Sequence, residues 1–193
     1  MGLSIFYSGK IRDMKLLPAL TEEVIDICDN MHWIYGYLKP DPEIPLAGFH
    51  FHPEGSEPVW LTFRDDGVLA DPVYYIFKDD TFSPPLPEPE YQLTTVTQFA
   101  GMDAHMALVK LLKYLSRKYF DDFELIDESE SWETGDEALC MVRFDYFTIQ
   151  MDEMAIRLSA LDGQYGLTGE SIRTRMDNLL LSHGINKILK ALE

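Results

Sequence analysis

Leu3, Ile5 and Tyr7 recur at every second position, a period of two that predicts a first strand ending near Gly9. The period then lengthens. Leu20, Val24, Ile27, Cys28 and Met31 form one stripe at helical spacing, and Glu22, Glu23, Asp26 and Asp29 cover the opposite side. Pro18 suits the first turn of that helix, where a missing N–H leaves no bond unmade. Alternation returns with Trp33, Tyr35 and Tyr37, a second strand closed by Pro40-Asp41-Pro42. Its aromatic row could line a ligand groove, and reads rather as the packed side of a sheet covered by a helix. Phe49 and Phe51 alternate with His50 and His52 in a third strand, with the phenylalanines assigned to the core. Val59, Leu61 and Phe63 alternate with Trp60 and Thr62 in a fourth, followed by the turn signal Asp65-Asp66-Gly67. Val73 to Phe77 is read as a further short strand.

Residues 78–90 carry four of the eleven prolines and read as an extended, semi-rigid loop. Beyond it a Thr-rich strand, Leu93 to Phe99, leads into the most periodic part of the chain. Leu108, Leu111, Leu112, Leu115 and Tyr119 recur at helix spacing, with Lys110, Lys113, Arg117 and Lys118 off the stripe. Phe123 and Leu125 suggest a short strand, and Thr134-Gly135-Asp136-Glu137 a capping box for a helix through at least Phe147. Helical periodicity resumes between Met151 and Leu161. Thr168 caps a last helix bearing Ile172, Met176, Leu179 and Leu180, stopped at His183-Gly184. Hairpin-spaced strands beside one helix, then a helical half, predict an α+β fold: a largely antiparallel sheet with packed helices and a helix-rich C-terminal half. Residues 1–193 read as a single domain, with the Pro-rich loop dividing a strand-rich part, 1–90, from a helix-rich part, 91–193.

Composition narrows the function classes. The chain has 193 residues, is 46% hydrophobic, and carries 33 acids against 16 bases for a formal net charge of −17. That apolar fraction excludes a disordered acidic tail. The acid excess argues against a phosphate-tracking nucleic-acid binder and against an anionic membrane surface. No run approaches the roughly 18 apolar residues that cross a bilayer, and the N-terminus lacks the basic region of a secretory signal. The expectation is a soluble, cytoplasmic protein, with Cys28 and Cys140 as reduced, buried thiols. The excess is uneven. Residues 138–193 hold six basic and seven acidic side chains, whereas residues 121–137 hold nine acidic side chains and no basic one.

Several residue sets could carry chemistry. His50 and His52 stand at i and i+2 on a strand, so both imidazoles point to one face, a spacing that can put two ligands on a divalent metal, with Glu57 adding a carboxylate. Alternatively they are two polar residues on the outer side of an amphipathic strand. His105 borders the apolar stripe of its helix and fits a hydrogen-bonded core residue, or an acid/base group in a helix–sheet cleft. Asp103 fits the first turn of the same helix. The acidic run reads as a solvated connection, a cation site or an electronegative patch for a basic partner. Trp132 stands inside it as a core anchor or an exposed hot spot, with Asp127, Glu128 and Glu130 beside it. P-loop, GxGxxG, GxSxG, HExxH and SxxK patterns are all absent.

His50-x-His52-x4-Glu57 resembles the first metal-binding motif of cupins, which implies His50, His52 and Glu57 as metal ligands in a double-sheet barrel. Ile44 stands where that motif has glycine, and no second motif follows. Thr97-Gln98-Phe99-Ala100-Gly101, His105, the Leu108-to-Tyr119 helix and Trp132-Glu133-Thr134-Gly135-Asp136 together resemble an uncharacterised family of small acidic bacterial proteins. Phe51-His52-Pro53-Glu54-Gly55-Ser56-Glu57-Pro58 is similar to a turn of the same group. That resemblance implies a bacterial, cytoplasmic origin, assigns no activity, and singles out His52, His105, Glu133 and Asp136 as a candidate cleft. The leading expectation is a non-catalytic binding or regulatory protein whose acidic surface meets a basic protein. The other is a metal-dependent enzyme using His50 and His52 with a carboxylate or His105.

Overall fold

A computed structural model describes residues 3–39, 41, 44–73 and 92–165. The chain forms two compact units, Met1–Phe144 and Asp145–Glu193. The first is α+β with antiparallel strands throughout, as the hydrophobic pattern predicts.

Strand β1 (Ser4–Ile11) runs two residues past the expected end at Gly9 because Ile11 also turns inward, buried with Ile5 and Tyr7. Helix α1 (Leu17–Met31) follows a short 3-10 turn capped by Asp13. Leu20, Val24 and Cys28 are its buried residues, the i, i+4, i+8 centre of the stripe, while Met31 lies about half exposed (48%) at the end. The helix stops where His32 takes a left-handed conformation (φ 56°).

Strands β2 (Ile34–Tyr37), β3 (Ala47–His52) and β4 (Val59–Phe63) form one sheet in that order. Phe49, Phe51, Val59, Leu61 and Phe63 are buried, as the alternation predicts. The aromatic row of β2 divides differently from expectation. Trp33 stacks on Phe51, but Tyr35 and Tyr37 are 38% and 59% exposed, because β2 is the outermost strand. Of the further strand expected at Val73 to Phe77, residues 74–77 lie outside the described residues, as do the Pro-rich loop and the last helix expected from Thr168.

A second sheet has the order β5–β1–β6, with β5 at Leu93–Val96 and β6 at Phe120–Asp127. Between them helix α2 (Met102–Tyr119) buries His105, Met106, Leu108, Val109, Leu111, Leu112, Leu115 and Tyr119. β6 is longer than the Phe123 and Leu125 pair suggested. Asp121, Asp122 and Glu124 are exposed positions of a strand whose Phe120, Leu125 and Asp127 are buried. Four of the nine acids of the run, Asp121, Asp122, Glu124 and Asp127, therefore lie in sheet rather than connection.

The two sheets are joined by polar contacts. The Tyr7 hydroxyl accepts from the Trp60 N–H at 2.8 Å and donates to the Trp60 carbonyl at 3.0 Å. Glu57 closes the outer edge of β5: its N–H donates to the Val96 carbonyl at 2.9 Å and its carboxylate accepts the Val96 N–H at 3.1 Å. After β6 come the short helix α3 (Ser131–Thr134) and the helix α4 (Glu137–Tyr165). The expected capping box is replaced by an Asp136 cap. Its carboxylate accepts from the Ala138 and Leu139 N–H groups, while the Thr134 hydroxyl donates to the Glu130 carbonyl. Asp136 wins because it immediately precedes the helix, where its carboxylate reaches the N–H groups two and three residues on. Among the described residues no helix is long and apolar enough to cross a membrane.

Candidate functional site

His105 is completely buried near the start of α2, where Gly101, with φ 85°, turns the chain into the helix. Its Nδ1 lies 2.7 Å from the Thr97 hydroxyl, which itself donates to the Leu3 carbonyl at 3.2 Å. Its Nε2 lies 2.8 Å from Ser129 Oγ and 3.1 Å from Asp127 Oδ1. Asp127 ends β6 and gathers further bonds around its carboxylate. It accepts the Ser129 N–H at 2.8 Å, the Ser129 hydroxyl at 2.9 Å and the Trp132 N–H at 3.0 Å, while Ser131 Oγ lies 2.5 Å from Ser129 Oγ. Burial works to raise the Asp127 carboxyl; the His105 imidazole and the Ser129 N–H and hydroxyl overcome it and hold the group below the ordinary carboxylate range.

This cluster contains an acid, an imidazole and a hydroxyl, yet its geometry serves the fold. His105 and Ser129 have no solvent exposure, and the serine hydroxyl is spent on Asp127 itself rather than left for a substrate. The network ties the end of β5, the start of α2, the end of β6 and α3 together through groups that are all hydrogen-bonded. Sequence reasoning found His105 and missed Thr97, Ser129 and Ser131. The available signal was Asp127-x-Ser129-x-Ser131, side chains able to bond their own backbone two residues on.

The remaining candidates are placed elsewhere. Glu133 is exposed in α3, and Asp136 is exposed as the α4 cap. Neither is among the partners of His105. His52 is half-buried, with Nδ1 3.2 Å from the Pro53 carbonyl. His50 is buried between Gly36 and Trp60, whose ring centroid lies 4.7 Å away. Its Nδ1 has no hydrogen-bond partner, and burial, then the neighbouring His52, lower its pKa to about 4. Gly36 leaves room opposite it, since a Cβ there would lie 2.7 Å from His50 Nε2 and the imidazole would have to shift. Glu57 is engaged with β5 as described. Among the described residues no three His, Cys, Asp or Glu side chains come together in a set that could hold a metal ion.

Of the residues beside Trp132, Asp127 is buried, Glu128 accepts the Ser4 N–H at 2.8 Å, and Glu130 pairs with Arg143. The Trp132 ring is half-buried against Phe123, with Lys113 Nζ 5.5 Å from its centroid. It is more anchor than free hot spot.

Of the aromatic row of β2, Tyr37 lines a groove. The groove, of about 570 Å³, runs between α1 and the end of β2, lined among others by Leu17, Pro18, Glu22, Ile25, Asp26 and Tyr37. Both charged side chains in its lining are carboxylates. No protein-family model matches the chain, and no curated protein or solved structure matches it at a significant level.

Proposed function

We propose that the chain is a non-catalytic binding protein that takes a basic protein partner on its acidic surface. The observation carrying this reading is the α1–β2 groove, where Tyr37 remains in water beside Glu22 and Asp26, with Tyr35 exposed on the same sheet face. Apolar side chains of this size, grouped and rimmed by like charge, mark interaction sites. The net charge of −17 steers a basic partner toward the surface over distances beyond the contact itself. The cluster of His105, Asp127 and Ser129 is sealed and internally satisfied, which supports binding rather than catalysis for those groups.

The test is a fluorescence-anisotropy titration of the full chain with two labelled heptapeptides, one alternating lysine and valine, the other glutamate and valine. The lysine peptide is expected to bind with an affinity that falls as salt rises, and the glutamate peptide not to bind. Glu22→Gln combined with Asp26→Asn should weaken the lysine peptide. Equal binding of both peptides, or of neither, overturns the reading.

A further inference from the structure

We infer that the partner segment binds as an added strand along the outer edge of β2, extended and basic at alternate positions; this rests on the binding reading above. The described strand edges differ in what guards them. The outer edge of β4 is occupied by the following turn, with the Ala70 N–H donating to Thr62 and the Arg64 N–H to Val68. The outer edge of β5 is closed by Glu57. β6 carries Asp121, Asp122 and Glu124. β2 reads Ile-Tyr-Gly-Tyr, with no charge, no proline and, among the described residues, no strand on its outer side. Exposed edges are ordinarily blunted by such devices, and an unguarded one is a template for another strand.

The register identifies the groups on offer. Leu38 N–H donates to the Gly48 carbonyl at 3.0 Å, extending the pairing of Gly36 with His50 and Ile34 with His52. Hydrogen-bonded pairs alternate in an antiparallel ladder, so Ile34, Gly36 and Leu38 turn their main-chain groups toward β3. Tyr35 and Tyr37 turn theirs outward, giving an incoming strand two N–H donors and two carbonyl acceptors.

The neighbouring helix sets the side-chain chemistry. Tyr35 and Tyr37 share the sheet face of Phe51 and Phe49, the side on which α1 lies. Pro18, Glu22, Ile25 and Asp26 recur along α1 at i, i+4, i+7 and i+8 and line the groove with Tyr37. Asp29 continues the row one turn on, and its carboxylate bonds the Tyr35 phenol. A strand laid beside β2 sends every second side chain toward this row. Lysine or arginine suits it, with the aliphatic stem against Ile25 and Tyr37 and the charged head at Glu22 and Asp26.

Two changes test the main-chain pairing without altering charge. The first is the lysine–valine heptapeptide N-methylated at alternate residues, so that one edge cannot donate. The second is Tyr37→Pro, which removes an outward N–H and leaves the Leu38 N–H to its bond with Gly48; slow exchange of the Leu38 amide verifies that the ladder persists. Each is expected to weaken binding by about tenfold or more, the loss of one or two main-chain hydrogen bonds. Should Tyr37→Pro unfold, the methylated peptide on the unaltered chain still decides. If the parent peptide binds with salt dependence and methylation changes nothing, strand addition is overturned while the acidic-surface reading stands. If the parent peptide does not bind, both fall.

Discussion

Two buried histidines show opposite solutions to the same difficulty. His105, on α2, places both ring nitrogens within 2.8 Å of a hydroxyl oxygen and Nε2 also beside the Asp127 carboxylate. His50, on β3, is nearly as deeply placed, yet its Nδ1 meets no partner and its neighbours are an aromatic ring, a glycine and another histidine. In the first region a buried polar group fastens four segments. In the second a polar ring fills space and contributes bulk rather than bonds. Burial alone therefore says little about which histidine the fold depends on; the partners decide.

The sharpest break in that comparison comes from emptying one side of it. Asp127→Ala strands the His105 ring, the Ser129 N–H and the Trp132 N–H together, and should cost about 3–5 kcal/mol in urea unfolding. His105→Leu should be of similar severity. A loss below about 1 kcal/mol for either would show that the network is incidental.

Acid separates the regions by pH window. His50 is held neutral in the fold, so the unfolded chain takes up its proton first. Stability falls as pH drops from the ordinary value of 6.5 to about 4 and does not change further below that through this group. Asp127 is depressed instead; its contribution is present above its ordinary 3.8 and is lost as pH falls through its lower folded value. Urea midpoints measured against pH should thus show His50→Leu flattening the upper window only. Flattening below 3.8 instead would reverse the assignment.

Smaller effects sharpen the packing side. Gly36→Ala should cost about 1–3 kcal/mol by pressing a methyl group on the imidazole. In a His50→Leu background part of that cost should vanish, and a double-mutant cycle that is strictly additive would show the two residues do not press on each other. His50→Leu alone should lie within about 1 kcal/mol of the parent at neutral pH, since it removes an unpartnered polar atom.

Much of this fold is written in period and spacing. The Leu20–Val24–Cys28 and Leu108–Leu112–Leu115 stripes are buried where helical geometry places them, and Phe49, Phe51, Val59 and Leu61 where strand alternation does. Legibility fails where a residue is chosen by something distant. The acids of β6 look like solvated loop because a strand with one side in water spends half its positions on polar residues. Tyr35 and Tyr37 look like core because an edge strand has the same alternation as a central one; only the sheet order reveals their outermost place. The candidate cleft was legible as single residues and not as a group. His105 was visible on its helix, but its bonds go to Thr97, Asp127 and Ser129, up to 24 residues away, and no local pattern names them.

The position of β1 in its sheet has a consequence for how the chain is made. It leaves the ribosome before the other strands and is the central one, flanked by β5 and β6. β5 begins about 80 residues later and β6 about 110, which at roughly 5–20 residues per second leaves β1 waiting several seconds for either neighbour. The sheet of β2, β3 and β4 has no such delay, because all its strands have been synthesised by residue 63. The first strand made is thus among the last to be completed. Nascent chains caught between those points would hold the β2–β3–β4 sheet beside a β1 tied only through Trp60 and residues 67–69, its two sheet neighbours still missing, the species a holding chaperone would find.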